Sequence, residues 1–130
     1  MEPEHPNVAL ARRLWQATAD GEVADLTEVL AIEVEWNTSG HNQVAGTYHG
    51  PEEVIGFLAR VGELADDFQS TLQGIYWNDG GAVLSYHVDA IREGRKLDMD
   101  YVLVLEMRDD QIVRARSVAI DQAETDRFWS

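Results

Sequence analysis

The second half of the chain alternates polar and apolar residues in four successive segments, and this alternation restricts the fold more than any other feature. The segments lie near residues 69–77, 82–91, 96–107 and 111–120, and are separated by the short sequences "NDGG", "REG" and "RDD". A period of two is typical of half-buried β-strands, and short turns join antiparallel neighbours. The pattern therefore predicts an antiparallel meander from Phe68 onward.

The first half of the chain carries helical patterns instead. The first predicted helix begins at Pro6 and ends at Gly21, and a short second helix extends to Leu30. "IEVEWN" then indicates a strand, and "TSGHNQVAGTYHG" a long loop. Pro51 opens a third helix, whose apolar positions are Val54, Phe57, Leu58, Val61 and Leu64. Three helices followed by a meander predict a single α+β domain over residues 1–130, in which a curved sheet wraps the helices.

The composition excludes several classes of function. With 24 acidic and 10 basic residues, the net charge of -14 would repel nucleic acids and anionic lipid surfaces. The absence of cysteine excludes a disulfide framework, thiol catalysis and thiolate zinc sites. The start, "MEPEHPNV", has neither a basic nor an apolar signal region. We therefore expect a soluble, cytoplasmic protein without nucleic-acid or membrane partners.

Three segments of the chain resemble a known family. "VEWNTSGHNQVAGTYHGPEEVIGFL", "VLEMRDDQIV" and "DQAETDRFW" are similar to the SnoaL-like branch of the NTF2-like superfamily, which includes ketosteroid isomerases, polyketide cyclases, limonene epoxide hydrolases and scytalone dehydratases. The resemblance implies a cone-shaped α+β barrel, in which a curved, mostly antiparallel sheet wraps three N-terminal helices and a short C-terminal helix follows. It also implies a homodimer and a pocket between helices and sheet. The fold alone does not choose the chemistry.

The catalytic residues of these relatives are only partly matched. Ketosteroid isomerases use a carboxylate base, a Tyr and a protonated Asp. The matching positions in this chain are Trp36, Leu14 and Leu103. The resemblance therefore does not imply steroid isomerisation by that mechanism. Many SnoaL-like sequences have a His after the strand tryptophan, where this chain has Asn37, and the related epoxide hydrolases have Arg-x-Asp where this chain has His87-x-Asp89.

His87 and Asp89 share one face of their predicted strand, because they are two residues apart. The alternate residues, Leu84, Tyr86, Val88 and Ala90, form the more apolar face of the strand. The hydrophobic pattern alone would therefore place His87 and Asp89 on the solvent face. A two-residue turn at 93–94 would also place Asp89 directly opposite Asp98, which is unfavourable for two carboxylates. A three-residue turn over 92–94 instead gives the glycine the left-handed position of a type I turn with a bulge. We therefore predict that His87 and Asp89 face the core, beside the next strand's apolar row, Leu97, Met99, Tyr101, Leu103 and Leu105.

Other polar residues have competing explanations. A three-residue turn in "RDDQ" would turn Ser117 inward. Polyketide cyclases of this type use an Asp late in the chain, but Asp121 followed by Glu124 has the spacing of a capping box. His49 is interpreted as a surface residue, and His41 as part of a loop that is a candidate lid.

Two hypotheses follow. In the first, the protein is a cofactor-independent enzyme that cyclises, isomerises, dehydrates or opens an epoxide in a small, mostly apolar, oxygen-bearing molecule. Asp89 orients a proton on His87, the general base and acid, and Tyr101 donates a hydrogen bond to a substrate oxygen. The predicted substrate contacts are Leu14, Trp36, Asn37, Phe57, Met99, Leu103 and Ser117.

In the second hypothesis, the fold is a non-catalytic module that binds an apolar ligand, or a dimerisation scaffold that uses its outer sheet face. In either case no metal site is expected, because His87 and Asp89 supply only two ligands. No glycine-rich phosphate loop indicates a nucleotide cofactor.

Overall fold

Helices occupy most of the first half of the chain and strands most of the second half, as the sequence predicts. The computed structural model describes residues 4–130; residues 1–3, which open the predicted domain and the segment "MEPEHPNV", lie outside the described residues. The helices are α1 (Pro6–Asp20), α2 (Val23–Val29), α3 (Gly50–Leu64) and α4 (Gln122–Phe128). The strands are β1 (Leu30–Thr38), β2 (Gly46–His49), β3 (Asp67–Asn78), β4 (Gly81–Arg92), β5 (Arg95–Arg108) and β6 (Gln111–Ala119).

Local signals explain where α1 begins and ends. Pro6 occupies the first turn, where a backbone N–H would have no acceptor within the helix, so the lack of an N–H in proline costs no hydrogen bond. The His5 ring accepts a hydrogen bond from the Asn7 N–H at 3.1 Å. Gly21 ends the helix with a φ of 67°, a left-handed conformation that glycine adopts without steric cost. The predicted second helix is too long, because Leu30 is extended and begins β1.

The six strands form one curved, unclosed sheet in the order β2-β1-β6-β5-β4-β3. Neighbouring strands are antiparallel except β1 and β6, which are parallel. Strands β3 to β6 form the predicted meander. The prediction of a continuous loop between β1 and α3 is wrong, because Gly46–His49 pairs with β1 at the sheet edge. Four residues that begin with glycine are too few to show an alternating pattern.

The turn between β4 and β5 has two residues, whereas the sequence argument predicts three. Glu93 and Gly94 both have positive φ, 51° and 79°, and Arg92 pairs with Arg95. The Glu93 N–H donates to the Asp66 carboxylate at 2.9 Å, which helps to hold this conformation. The predicted register is therefore wrong. Because a slip of one residue reverses the faces of a strand, the apolar side of β4 is the side that faces the core.

The faces of β5 and β6 follow the prediction. Leu97, Met99, Tyr101, Leu103 and Leu105 are all buried, whereas Asp98 and Asp100 are exposed. The predicted three-residue turn in "RDDQ" is wrong, because Arg108 pairs with Gln111 and leaves a two-residue turn, Asp109 and Asp110, both with positive φ. A register shift after Glu106 still leaves Ala115 fully buried and turns Ser117 inward.

The hydrophobic core lies between the helices and the concave face of the sheet. Leu14 of α1 and Val54 of α3 are almost completely buried, as are Val34 of β1 and Leu84 of β4. In the described part of the chain, no helix combines the length and the apolar character needed to cross a bilayer.

Candidate active site

A cavity of about 280 Å³ remains between the helices and the concave face of the sheet. Its lining includes Leu14, Trp15, Trp36, Thr38, Asn42, Phe57, Tyr86, Tyr101, Leu103, Ser117, Thr125 and Trp129. The described lining residues include no carboxylate, imidazole, ammonium or guanidinium group. Transfer of an unpaired charge from water into such surroundings is unfavourable, so the cavity is suited to uncharged ligands.

Aromatic rings form much of the cavity wall. Tyr86 and Tyr101 stack nearly in parallel, with ring centroids 5.5 Å apart and planes inclined by 12°. Trp15 approaches Tyr86 at 5.2 Å, and Trp36 approaches Phe57 at 6.3 Å. Aromatic faces and edges of this kind pack well against flat apolar molecules.

Two tyrosine hydroxyls are the main titratable groups of the lining, and both keep their protons at neutral pH. Burial raises the pKa of Tyr86 to about 12; a hydrogen bond with Ser117 opposes the increase, and Tyr101 adds to it. Burial also raises the pKa of Tyr101, whose hydroxyl lies 3.0 Å from the Thr125 hydroxyl oxygen. Both side chains are therefore neutral hydroxyl groups, able to donate a hydrogen bond.

Two polar atoms of β1 are buried without a hydrogen-bond partner among residues 4–130. They are Nε1 of Trp36 and Oγ1 of Thr38, and both residues line the cavity. Trp36 and Thr38 are two residues apart and therefore share the inner face of the strand. Thr38 pairs with Ser117 of β6 across the parallel ladder, so these two short polar side chains are neighbours on the floor of the cavity.

The C-terminal helix and the loop after β1 close one end of the cavity. Asp121 accepts a hydrogen bond from the Glu124 N–H at 3.1 Å, which confirms its interpretation as a helix cap. Asp126 accepts hydrogen bonds from Asn42 Nδ2 at 2.7 Å and from the His41 N–H at 3.0 Å. Burial acts to raise the pKa of Asp126, but hydrogen bonds from Asn42, His41 and Gln122 hold it below its ordinary value. This carboxylate fastens the loop to α4.

Most of the predicted substrate contacts reach the cavity. Those that line it are Leu14, Trp36, Phe57, Leu103, Ser117 and the predicted hydrogen-bond donor Tyr101. Met99 is not among the lining residues; its sulfur accepts the Asp121 N–H at 3.4 Å beneath the helix cap. Asn37 is a second correction, because it lies on the other face of β1, where its Nδ2 donates to Thr47 Oγ1 at 3.0 Å.

The structure places the predicted catalytic pair, His87 and Asp89, outside the cavity. His87 Nδ1 lies 2.7 Å from Asp100 Oδ1, and Nε2 lies 2.7 Å from Asp98 Oδ1 and 3.5 Å from Asp89 Oδ1. The hydrogen bond with Asp100 raises the pKa of His87, and Asp89, Asp98 and Asp100 add to the increase while partial burial opposes it. The opposed carboxylates, Asp89 and Asp98, are thus tolerated, because the His87 imidazole lies between them and contacts both.

This outer cluster supplies one more potential metal ligand than the sequence reveals. The donor atoms of His87, Asp89 and Asp98 all lie within 4.8 Å of one another. Both imidazole nitrogens already contact carboxylates, so protonation of His87 satisfies the group without an ion.

Five further residues line the cavity that were not predicted to do so: Trp15, Thr38, Tyr86, Thr125 and Trp129. A signal was available for Tyr86, because it belongs to the more apolar face of its strand. Thr125 and Trp129 reach the cavity only through the return of α4 to the barrel, which no local pattern indicates.

The family of the chain follows from its similarity to known proteins. A family model described as a SnoaL-like domain matches residues 11–115. The uncharacterised protein Rv0034 of Mycobacterium tuberculosis is 31% identical over 123 residues, which cover 93% of this chain and 94% of that protein.

Solved structures share the fold of this chain. Bal32a, from a soil-derived mobile gene cassette, is 26% identical with a TM-score of 0.90, over 96% of this chain and 97% of its own. TerC, co-crystallised with polyporic acid, is 17% identical with a TM-score of 0.83, over 95% of this chain and 98% of its own. Solved NTF2-like proteins share the fold. The chain therefore belongs to the SnoaL-like domain family.

Proposed function

We propose that the protein is a cofactor-independent enzyme that promotes cyclisation or isomerisation of a small, uncharged, mostly flat molecule that bears oxygen. The observation that carries this proposal is the neutral hydroxyl of Tyr86 in a cavity whose walls are largely aromatic and aliphatic. The family supports a role in small-molecule chemistry, and the co-crystallisation of the similarly folded TerC with polyporic acid supports an organic ligand.

Tyr86 acts by polarising an oxygen of the ligand. Its hydroxyl donates a hydrogen bond, which strengthens as negative charge develops on that oxygen in the transition state. Water is a weak competitor for the donor in a largely apolar cavity, where the same hydrogen bond is electrostatically stronger. Cyclisation and isomerisation need no oxidant or reductant. Dehydration or epoxide opening by His87 and Asp89 is not proposed, because both side chains lie on the outer face.

The test uses 2′-hydroxychalcone, an uncharged aromatic ketone that isomerises to flavanone with a loss of visible absorbance. In that reaction the phenol oxygen bonds to the β-carbon, the phenol proton is lost to solvent, and a proton is added at the α-carbon. We expect the protein to accelerate this isomerisation, and Tyr86→Phe to reduce the acceleration by about tenfold or more, since one hydrogen-bond donor to a developing oxyanion is removed. Tyr76→Phe is the matched control, because Tyr76 is 65% exposed and lies outside the cavity.

A second candidate function, binding without catalysis, is favoured by one observation. The described lining residues offer no side chain that takes up or releases a proton near neutral pH. Calorimetric binding of the chalcone with no change in its rate of isomerisation would support this function and contradict catalysis. If the chalcone neither binds nor reacts, both functions of the cavity are contradicted.

We also propose that two copies associate through the outer face of the sheet. An open groove of about 840 Å³ on this face is lined in part by Tyr76 and Val104, and nearby Val118 is 39% exposed. Arg114 of the same groove lies 3.5 Å from Glu35, so the face carries both signs of charge. A twofold interface pairs a surface with itself, which requires such self-complementarity.

A further inference from the structure

The unpartnered polar atoms of β1 indicate which hydrogen-bonding groups a ligand of the cavity carries. Trp36 is only 4% exposed, and its Nε1–H has no acceptor among the described residues. A buried donor without a partner loses its hydrogen bond to water and gains nothing in return, and native proteins keep few such groups. A buried polar group without a protein partner usually forms a hydrogen bond with a ligand or an ordered water.

The position of the second atom strengthens this argument. Thr38 Oγ1 is also unpartnered, and it lies on the same inner face of the same strand, two residues from Trp36. The two residues line one cavity and share no protein partner. Two orphan groups on the same face of one strand, both in the lining of one cavity, indicate a place where atoms from outside the chain complete the hydrogen bonds.

The chemistry of the two groups restricts that atom. An indole N–H donates and never accepts, so its partner must be an acceptor. A threonine hydroxyl rotates to suit its partner and can also donate to an acceptor. The described lining has no charged group that would balance an anion. A neutral carbonyl oxygen, which has two lone pairs, meets all three conditions.

We infer that Trp36 and Thr38 form a carbonyl-binding subsite, and that the ligand carries a carbonyl oxygen held there in addition to the oxygen polarised by Tyr86. This inference rests on the proposed function, because it assigns ligand chemistry to the same cavity. The ligand class is then a flat, uncharged compound with two oxygens on one framework, such as a quinone or a hydroxyketone. Trp36 and Thr38 orient it, and Tyr86 acts on it.

The test compares two probes that share a framework, 1,4-naphthoquinone and naphthalene, by isothermal titration calorimetry. The chain has no cysteine with which the quinone would react. We expect the protein to prefer the quinone. Trp36→Phe removes the N–H and keeps an aromatic ring, and Thr38→Val removes the hydroxyl and keeps the shape. Each should weaken quinone binding by about fivefold to tenfold, the loss of one hydrogen bond. Thr38→Val should leave naphthalene binding unchanged, whereas Trp36→Phe, which also removes part of the aromatic wall, should weaken naphthalene binding less than quinone binding.

Two controls isolate the subsite. Thr38→Ser retains a hydroxyl and should retain the preference for the quinone. Trp77→Phe makes the same chemical change as Trp36→Phe in a residue that is 52% exposed and outside the cavity, and should change neither affinity. If Trp36→Phe does not fold, as judged by thermal denaturation, Thr38→Val carries the test alone.

The outcomes separate the inference from the proposed function. If both β1 variants leave quinone binding intact, or weaken it as much as naphthalene binding, the carbonyl subsite is contradicted. The proposal that the cavity binds a ligand is then unaffected. If neither probe binds to the unmodified protein, the proposed function fails, and the subsite fails with it.

Discussion

Gly81 stands at the start of β4, where the backbone of β5 comes too close for a side chain. A Cβ at position 81 would collide with the Leu105 carbonyl oxygen and lie 3.2 Å from the Glu106 Cα. Both neighbours are backbone atoms, so no side-chain rotation relieves the contact. Gly80, one residue earlier, would place a Cβ no closer than 3.5 Å to its nearest neighbour, Asn78 Oδ1.

We expect Gly81→Ala to lower the free energy of unfolding by about 1–3 kcal/mol, the usual cost of forcing extra atoms into a packed site. Gly80→Ala is the matched control and should change it by less than about 0.5 kcal/mol. Urea denaturation of the two variants measures the difference. Equal losses would show that the approach of β4 to β5 is not what requires glycine.

The tyrosine hydroxyls lead to a prediction about pH. Because the pKa of Tyr86 is raised to about 12 and the described lining has no carboxylate or imidazole, the cavity keeps one protonation state near neutrality. The affinity for 1,4-naphthoquinone should therefore change by less than about twofold between about pH 6 and pH 9. A larger change in calorimetric affinity would mean that a titrating group contacts the ligand.

At the scale of secondary structure, the hairpin of β4 and β5 gathers three carboxylates around one imidazole on its outer face. The pKa of His87 is raised above 6.5, first by its hydrogen bond with Asp100, and the pKa of Asp100 is lowered below 3.8, first by the same hydrogen bond. A raised histidine pKa stabilises the fold fully below 6.5, and this stabilisation is lost as the pH rises through the folded value. The lowered pKa of Asp100 means that its carboxylate stabilises the fold above pH 3.8. This stabilisation is lost as the pH falls through the pKa of the folded state.

We therefore expect the unmodified protein to lose stability relative to His87→Gln when the pH rises from about 5.5 to about 8.5. The variant lacks the titrating imidazole, so the difference between the two unfolding free energies isolates its contribution from the general effect of net charge. His49→Gln is the matched control, because it makes the same change in a histidine outside the cluster. A constant difference between the protein and His87→Gln across this range would contradict the linkage.

The same hairpin shows how far sequence reasoning extends. The inner face of β5 was predictable, because its apolar residues alternate without interruption from Leu97 to Leu105. The register was not predictable, because it depends on Glu93 adopting positive φ and on His87 screening Asp89 from Asp98. A rule that considers only two opposed carboxylates does not take into account a third residue, here His87, that contacts both.

At the scale of the whole molecule, the family and the α+β fold were predictable from motifs spread along the chain, whereas the cavity was predictable only in part. Leu14, Phe57 and Leu103 follow from the helix and strand periods. Tyr86 was assigned to the wrong face by the register error, and Trp129 enters the cavity through tertiary packing of α4. Long-range closure of this kind leaves no trace in a local pattern.

The proposed self-association is tested by a charge placed at the outer groove. We expect the protein to sediment as a dimer, and Val104→Glu to shift it toward the monomer, because Val104 is apolar, 37% exposed and part of the groove. Ile32→Glu is the control, since Ile32 is 86% exposed but does not line the groove. A monomer in the unmodified protein at all concentrations would contradict the proposal.

The parallel pairing of β1 with β6 has a consequence for how the chain reaches its native state. β1 ends at Thr38 and β6 begins at Gln111, so the contact that joins the first strands to the meander spans most of the chain. During synthesis, β1 and β2 have no place in the sheet until β6 has been made. Closure of so long a loop is entropically unfavourable before its contacts form, and such topologies fold slowly. We therefore expect the cavity to form late in folding, after β6 has inserted between β1 and β5 and α4 has packed beside them.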